Sequence, residues 1–208
     1  MSEAMKMSSL SKNTNFRAAT VEDIDVMISI IGNYYESLYL KEAPPVKGGA
    51  PWVWMSDKRV SFTLMLWKSE IVGFFVARHI PLNTHLHSFF VREEYRGFGL
   101  GRMLMMRHWE EALEAMPKQQ TFTLHMHAGN LRAIKFYTQF GYEKLLQSGK
   151  LISAQNGFGA WARNCQEKAQ WPLRSGIELF GLQRSNMEFH LSLFARQVSN
   201  HAVERAAD

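Results

Sequence analysis

The chain has little cysteine and no long apolar run, and each scarcity excludes a class of protein. Cys165 is the single cysteine among 208 residues, so an internal disulfide cannot form and a cysteine-based zinc site lacks its ligands. No stretch is apolar for long enough to cross a bilayer, and residues 1–14 are polar and Ser-rich, without the apolar core of a signal peptide. These features predict a cytoplasmic protein with no membrane partner.

A large excess of one charge is also missing. There are 24 Lys and Arg against 19 Asp and Glu, for a formal net charge of +5, and the basic residues are scattered along the chain. Because there is neither a basic helix nor an aromatic platform motif, no nucleic-acid partner is expected. The modest basic balance favours a smaller anionic ligand, such as a phosphate-bearing cofactor.

The order of elements predicts one α/β (α+β) domain over residues 15–197, between a disordered leader (1–14) and a polar tail (198–208). With 46% hydrophobic residues the chain can bury one sizeable core. Apolar β-rich runs predict strands, and apolar residues three and four apart predict helices. The predicted strands are 16–18, 61–67, 71–79, 86–91, 121–127, 142–146 and 187–194. The predicted helices are 105–116, 131–139 and an earlier one that a capping box at 20–23 opens, with Ile24, Met27, Ile28 and Ile31 on one face. Residues 149–185 are less regular and are interpreted as an insertion.

Three glycines, Gly97, Gly99 and Gly101, lie between the predicted strand 86–91 and the helix that follows. A helix N-terminus presents unpaired backbone N–H groups, and glycine lets a phosphate approach them without a Cβ in the way. A Walker loop is excluded because no Gly-Lys-Ser/Thr follows, and a dinucleotide loop is excluded because the third glycine comes one residue too early. A tight turn without a ligand is the alternative.

Two motifs together resemble a known family. The run Arg96-Gly97-Phe98-Gly99-Leu100-Gly101 matches Arg-x-x-Gly-x-Gly and resembles the pyrophosphate-binding motif of the GNAT superfamily of acyl-CoA N-acyltransferases. A second signature follows in the order that the family has. It consists of Asn130, Ala133, Phe136-Tyr137 and Phe140-Gly141-Tyr142.

The resemblance implies the GNAT fold, a mixed central sheet splayed around the CoA site with helices on both faces, and acetyl-CoA as co-substrate. It implies that Phe89 gives a backbone N–H to the thioester carbonyl and that Val91 pairs with the pantetheine arm. Tyr137 takes the position of the general acid that protonates the departing thiolate, with a packed aromatic as the alternative. The other implied cofactor contacts are Arg96, Gly97, Phe98, Gly99, Leu100, Gly101, Arg102, Asn130 and Phe136.

His85 and His87 lie two apart on the strand that leads to the glycine loop, so their side chains are expected on one face. Residues 85–101 resemble, without a gap, the strand and loop of the arylalkylamine N-acetyltransferases, in which paired histidines remove the amine proton through water. An imidazole suits this task because a protonated amine cannot attack a thioester. His85 and His87 are therefore candidate bases, with surface or core residues as the alternative.

His125 and His127 form a second pair on the neighbouring predicted strand, and four histidines raise the question of a metal. The family geometry separates the two strands around the cofactor, so no metal is expected. The predicted function is direct transfer of an acetyl group from acetyl-CoA to a primary amine, with a small-molecule acceptor favoured. A protein or peptide amine as acceptor, a catalytically silent acyl-CoA-binding module, and a homodimer all stay open.

Overall fold

The computed structural model describes residues 13–23, 25–27, 30, 57–147, 150–151 and 177–193. The tail, Cys165, residues 1–12 of the leader and most of the predicted insertion lie outside these residues. The chain divides into two compact units, Met1–Pro117 and Lys118–Asp208. Within the described residues, no helix has both the length and the apolar content needed to span a membrane.

The first unit contains an antiparallel meander. Its strands are β1 (Thr14–Ala18), β2 (Val60–Trp67), β3 (Glu70–Ile80) and β4 (Asn83–Val91), and each pairs with the next. Two-residue turns join β2 to β3 and β3 to β4, and each turn places one residue in the left-handed region, Lys68 (φ 58°) and Leu82 (φ 64°). The hairpin predicted from the polar run between two apolar strands is confirmed.

The pairing of β3 with β4 contains a bulge. Val76 pairs with Ser88, but the next residue, Ala77, pairs with Leu86, so His87 is one extra residue on β4. A bulge of this kind bends the strand and re-aims the side chains around it.

The two faces of this meander differ: a helix packs on one, and an apolar cluster lies on the other. Helix α1 (Leu100–Ala115) packs on one face, where the rings of Phe75 and His108 are 5.1 Å apart and the Thr63 hydroxyl donates to Glu111 Oε2 at 2.7 Å. The opposite face carries an apolar cluster of buried side chains. Its members are Met27, Phe62, Leu64, Leu66, Phe74 and Val76.

The second unit is built around strand β8 (Ile177–Gln183). It pairs antiparallel with β5 (Thr121–His127) on one side and with β6 (Glu143–Gln147) on the other, and β6 also pairs with the short β7 (Lys150–Leu151). Helix α2 (Leu131–Thr138) connects β5 to β6. As predicted, Gly141 follows α2 in the left-handed conformation (φ 79°) that a helix end of this type requires.

The predicted last strand, 187–194, is wrong. Residues 184–193 form a helix, α3, and the last described strand is β8, which lies inside the stretch interpreted as an insertion. Met187 faces the core at 0% exposure, while Phe189 is 59% exposed, so the apolar alternation of this segment does not correspond to one buried face. The pair Arg184–Glu188, 2.6 Å apart at a spacing of four residues, is the helical signal in this stretch.

Candidate active site

The glycine loop of the first unit has the backbone that its sequence predicts. After β4 come a short 3-10 turn, Glu93–Tyr95, and then Gly97 (φ 84°) and Gly99 (φ 80°), both left-handed, before α1 begins at Leu100. Side chains other than glycine are disfavoured at both positions. The glycines therefore shape a loop that delivers the chain directly into a helix N-terminus.

This loop fits a phosphate-bearing ligand. The first intrahelical hydrogen bond of α1 runs from Met103 N–H to Gly99 O at 3.2 Å, so the N–H groups of Leu100, Gly101 and Arg102 precede the helical ladder. A Cβ built on Gly97 would meet no heavy atom within 4 Å, which means that the space beside this backbone is open. Open space beside Gly97, N–H groups that precede the helical ladder and the positive end of the helix dipole together suit an anion.

Arg96 fastens the start of the loop to the end of β4. Its Nε donates to the carbonyl of Val91 at 2.7 Å, and its guanidinium carbon lies 5.7 Å from the ring centre of Phe90. The nearest carboxylate oxygen, on Glu93, is 3.9 Å from Nη1. The arginine thus places a positive charge beside the glycine loop and holds the loop to the strand.

His85 and His87 lie side by side on β4. Their ring centres are 4.8 Å apart in an edge-to-face arrangement, and both side chains are half-buried. The prediction that they share a face is confirmed, although His87 is the bulge residue and does not follow simple alternation. A half-buried pair of imidazoles can exchange protons with solvent, which is what a water-linked base requires.

Phe89 and Val91 occupy the stretch of β4 between the bulge and the loop, opposite Phe75 and Gly73 of β3. Gly73 permits an unusually close approach of the two strands, because a Cβ there would lie 2.7 Å from the carbonyl oxygen of Phe90. The resemblance implies that this stretch of β4 binds the acyl-pantetheine arm through its main chain. The close pairing with β3 fixes the position of that main chain.

Asn130, Phe136 and Tyr137 belong to the second unit. Asn130 caps α2 by accepting the N–H of Ala133 on its side-chain oxygen at 3.1 Å. Tyr137 is 7% exposed, and its ring lies edge-on to Phe136 at 5.2 Å and to Tyr142 at 5.6 Å. The second signature thus forms one packed aromatic cluster, in which the Tyr137 ring is held by its neighbours.

His125 and His127 are also in the second unit, on β5. Nδ1 of His127 accepts the N–H of Gly129 at 3.0 Å. Across the part of the chain that the structure describes, no three His, Cys, Asp or Glu side chains come together in a way that could hold a metal ion.

The sequence interpretation missed a buried polar group under α1. His79, 3% exposed, hydrogen-bonds Ser61 Oγ through Nε2 (2.7 Å) and Thr84 Oγ1 through Nδ1 (3.1 Å). Burial lowers the pKa of His79, and it lowers the pKa of the fully buried His108 to about 3. The sequence signal that could have revealed it is alternation, because His79 lies two and four residues after Ala77 and Phe75 on the face of β3 that packs against α1.

Comparison with known proteins places this arrangement in a family. The family model described as acetyltransferase (GNAT) family matches residues 25–142. The chain therefore belongs to the GNAT family of acetyltransferases. No curated protein matches the sequence closely enough to serve as a relative.

Solved structures support the same fold at low sequence identity. The spermidine N-acetyltransferase from Vibrio cholerae in complex with CoA and spermine is 12% identical, with a TM-score of 0.60 over 85% of this chain and 98% of its own. PaiA N-acetyltransferase from Thermoplasma acidophilum in complex with coenzyme A is 13% identical, with a TM-score of 0.57 over 82% and 98%.

Naa50 from Arabidopsis thaliana in complex with the bisubstrate analogue CoA-Ac-MVNAL is 16% identical, with a TM-score of 0.50 over 82% and 98%. At these identities the likeness establishes the fold alone. The predicted fold class, a mixed α/β GNAT fold, is confirmed.

Proposed function

We propose that the chain is an N-acetyltransferase that moves an acetyl group from acetyl-CoA to a primary amine by direct attack in a ternary complex. The observation that carries this proposal is the continuity of one segment of the first unit. The two-histidine part of β4 runs through Phe89 and Val91 into a left-handed glycine loop and a helix N-terminus. Candidate base, main-chain donors and anion loop thus follow one another without a break.

The binding roles follow the order of the chain. Backbone N–H groups from Gly97 to Arg102, with the charge of Arg96, hold the pyrophosphate of the co-substrate. Val91 pairs through its main chain with the pantetheine arm, and the N–H of Phe89 donates to the thioester carbonyl oxygen, where negative charge develops. The resemblance also assigns cofactor contacts to Asn130 and Phe136.

The proton transfers use three side chains. Acetyl-CoA supplies an electrophilic thioester carbonyl when it is bound. His85 or His87 takes a proton from the ammonium group through water, so that the amine nitrogen can form its bond to the acetyl carbon. As the carbon–sulfur bond breaks, the Tyr137 hydroxyl donates a proton to the departing sulfur, and the second proton that the nitrogen loses as the amide forms restores the tyrosine hydroxyl.

A small-molecule amine is the favoured acceptor, because the histidine strand and loop resemble enzymes that act on arylalkylamines. Two structural neighbours were solved with different classes of compound, a polyamine in one and a peptide-bearing bisubstrate analogue in the other. A protein or peptide amine is therefore the second acceptor class to test. The proposed location is the cytoplasm. All residues of the proposed reaction come from one chain.

The first experiment measures release of CoA thiol from acetyl-CoA with a panel of small amines and peptides. Thiol release that depends on the amine, with the acetylated amine identified by mass spectrometry, supports the proposal. Tight acetyl-CoA binding without transfer to any amine would instead indicate a silent acyl-CoA-binding module.

The cofactor loop is tested by Gly99→Val, which puts a branched side chain on a left-handed residue where a phosphate must approach. Calorimetry should show loss of acetyl-CoA binding. Gly141→Val is the matched control, because Gly141 has nearly the same φ (79°) but lies outside the loop. Equal loss of affinity in both variants would mean that strain, and not the loop, is responsible.

Tyr137→Phe tests the general acid. The ring and its contacts with Phe136 and Tyr142 stay, so the melting temperature and the acetyl-CoA affinity should persist. Turnover should fall by about a hundredfold, the lower end of what general acid catalysis contributes, since a thiolate is a tolerable leaving group. Full activity in the variant would leave Tyr137 as a packed aromatic residue.

A further inference from the structure

An arginine lies directly across from the candidate bases. Arg78 on β3 is the pairing partner of His85 on β4, and residues opposite each other in an antiparallel pair project from the same face with their Cβ atoms about 5 Å apart. The ring of His85 in turn contacts that of His87. The Arg78 side chain, which is 43% exposed, therefore places a positive charge at the candidate proton-transfer site.

The carboxylate nearest to Arg78 already has a better partner. Asp57 lies 3.9 Å from Arg78 Nη2, beyond hydrogen-bond distance, whereas Arg59 binds the same carboxylate through Nε at 2.9 Å and Nη2 at 2.8 Å. These hydrogen bonds from Arg59 lower the pKa of Asp57 to about 2. Asp57 is thus committed to Arg59 and contributes to Arg78 only at a distance.

Arg78 also has a buried donor that the described residues do not use. Its Nε is inaccessible to solvent and has no hydrogen-bond partner in the described part of the chain. Because this atom is closed to solvent, an arriving ligand would meet the rest of the side chain, which is 43% exposed overall. The planar fork of a guanidinium matches a carboxylate, which can accept two parallel hydrogen bonds.

We propose that Arg78 selects acceptors that carry a carboxylate close to the reacting amine, which is the chemistry of a free amino acid. The carboxylate binds Arg78 and the neighbouring amine is then held beside His85 and His87. A polyamine is disfavoured at this site, because its second ammonium group would meet the charge of Arg78. This inference rests on the proposed transferase function and specifies its substrate class.

The test uses acceptor pairs that differ only in the carboxylate, tryptophan against tryptamine and phenylalanine against phenethylamine, with spermidine as a third type of amine. For each acceptor, kcat/KM is measured by thiol release, and Kd is measured by calorimetry on protein saturated with CoA. The proteins are the wild type, Arg78→Met, Arg78→Lys and Arg107→Met. Arg107 lies on α1 and pairs with Glu111, so the last variant removes the same charge away from the histidine face.

The wild type should prefer the carboxylate-bearing member of each pair, and Arg78→Met should lower kcat/KM for that member by roughly ten- to a hundredfold, the range for a hydrogen bond to a charged group. The plain amines should change little. Arg78→Lys should keep part of the preference, and it decides the matter if Arg78→Met does not fold. Arg107→Met should keep all of it.

A wild type that acetylates the plain amines equally well, or an Arg78→Met variant that retains the full preference, would overturn the inference while leaving the transferase function intact. If no acceptor releases thiol, the transferase proposal itself fails, and the Kd values then decide the role of Arg78. Tighter binding of tryptophan than of tryptamine, lost in Arg78→Met, supports it; equal Kd values in the wild type refute it.

Discussion

Two pairs of histidines in the first unit lie on opposite faces of the same sheet and differ in their access to water. His79 on β3 and His108 on α1 lie where the helix packs on the sheet, 3% and 0% exposed, and burial lowers the pKa of both. His85 and His87 project from the opposite face of the same β3–β4 ladder and are half-buried. Burial thus keeps the first pair neutral at physiological pH, while the second pair has the access to water that proton transfer needs.

The comparison separates residues that hold the sheet from residues that could act on a substrate. On the buried side, His79 is held within the fold by its hydrogen bonds with Ser61 and Thr84. On the other side, a cation and two imidazoles adjoin each other at a half-buried surface. Substitutions on the α1 face should therefore change stability and spare turnover. Substitutions on the face of His85 and His87 should slow turnover and spare stability.

The largest effect is expected for His85→Ala combined with His87→Ala. Transfer near neutral pH should slow by about a hundred- to ten-thousandfold, and much less in alkali, where solvent supplies the free amine. Rates measured across pH decide the matter. An equal loss at every pH would assign these histidines to packing or binding, and the contrast between the two faces would disappear.

His108→Leu should change how stability responds to acid. The folded-state pKa of His108 (about 3) lies below the unfolded value near 6.5, so the wild type loses stability as pH falls from about 6.5 toward 3. Between pH 7 and pH 5 this one group should cost about 2 kcal/mol. Urea unfolding at both pH values should reveal that loss in the wild type and its removal in the variant, with kcat retained.

His79→Leu should destabilise the protein by about 1–2 kcal/mol, because Ser61 and Thr84 lose a buried hydrogen-bond partner. Acetyl transfer should be nearly unaffected, since the side chain is on the α1 face. The measurement is the urea midpoint together with kcat/KM. A large loss of activity at unchanged stability would mean that the two faces communicate.

Thr63→Val should have the smallest effect, a loss of about 1 kcal/mol. The hydroxyl donates to Glu111 Oε2 at 2.7 Å, but Glu111 keeps its second partner, Arg107, at 2.7 Å. Thermal unfolding of both single variants, Thr63→Val and Arg107→Met, and of the double variant should be compared. A double variant that loses much more than the sum of the single losses would indicate that the carboxylate needs both partners.

The elements around the glycine loop could be read from the sequence because their signals are local. A turn between apolar strands, glycines before a helix and Gly141 after one all act within a few residues. The alternation that placed His85 and His87 on one face led to the right outcome, although the ladder has a bulge at His87 that no local pattern revealed. Arg78 could not be found in this way, since its proposed role depends on its pairing with His85 across two strands.

The end of the chain was misread for a related reason. Apolar residues alternate in this segment as they do in a strand: Met187, Phe189, Leu191 and Leu193. Periodicity alone cannot show that the strand is formed instead by residues 177–183. In β8, residues 178–182 are buried on both faces, so that strand lacks the alternation by which strands are recognised. Its neighbours in the sheet decide its structure.

The bulge at His87 makes this residue supernumerary in the ladder. Upstream of it, His85 faces Arg78, and downstream of it Phe90 faces Phe74 and packs with the apolar cluster. Removing His87 would bring Leu86 and Ser88 into ordinary alternation and leave every other side chain of β4 on its present face. The sheet itself does not need this residue, so a one-residue deletion is the change by which the chain could discard its second imidazole and still keep its architecture.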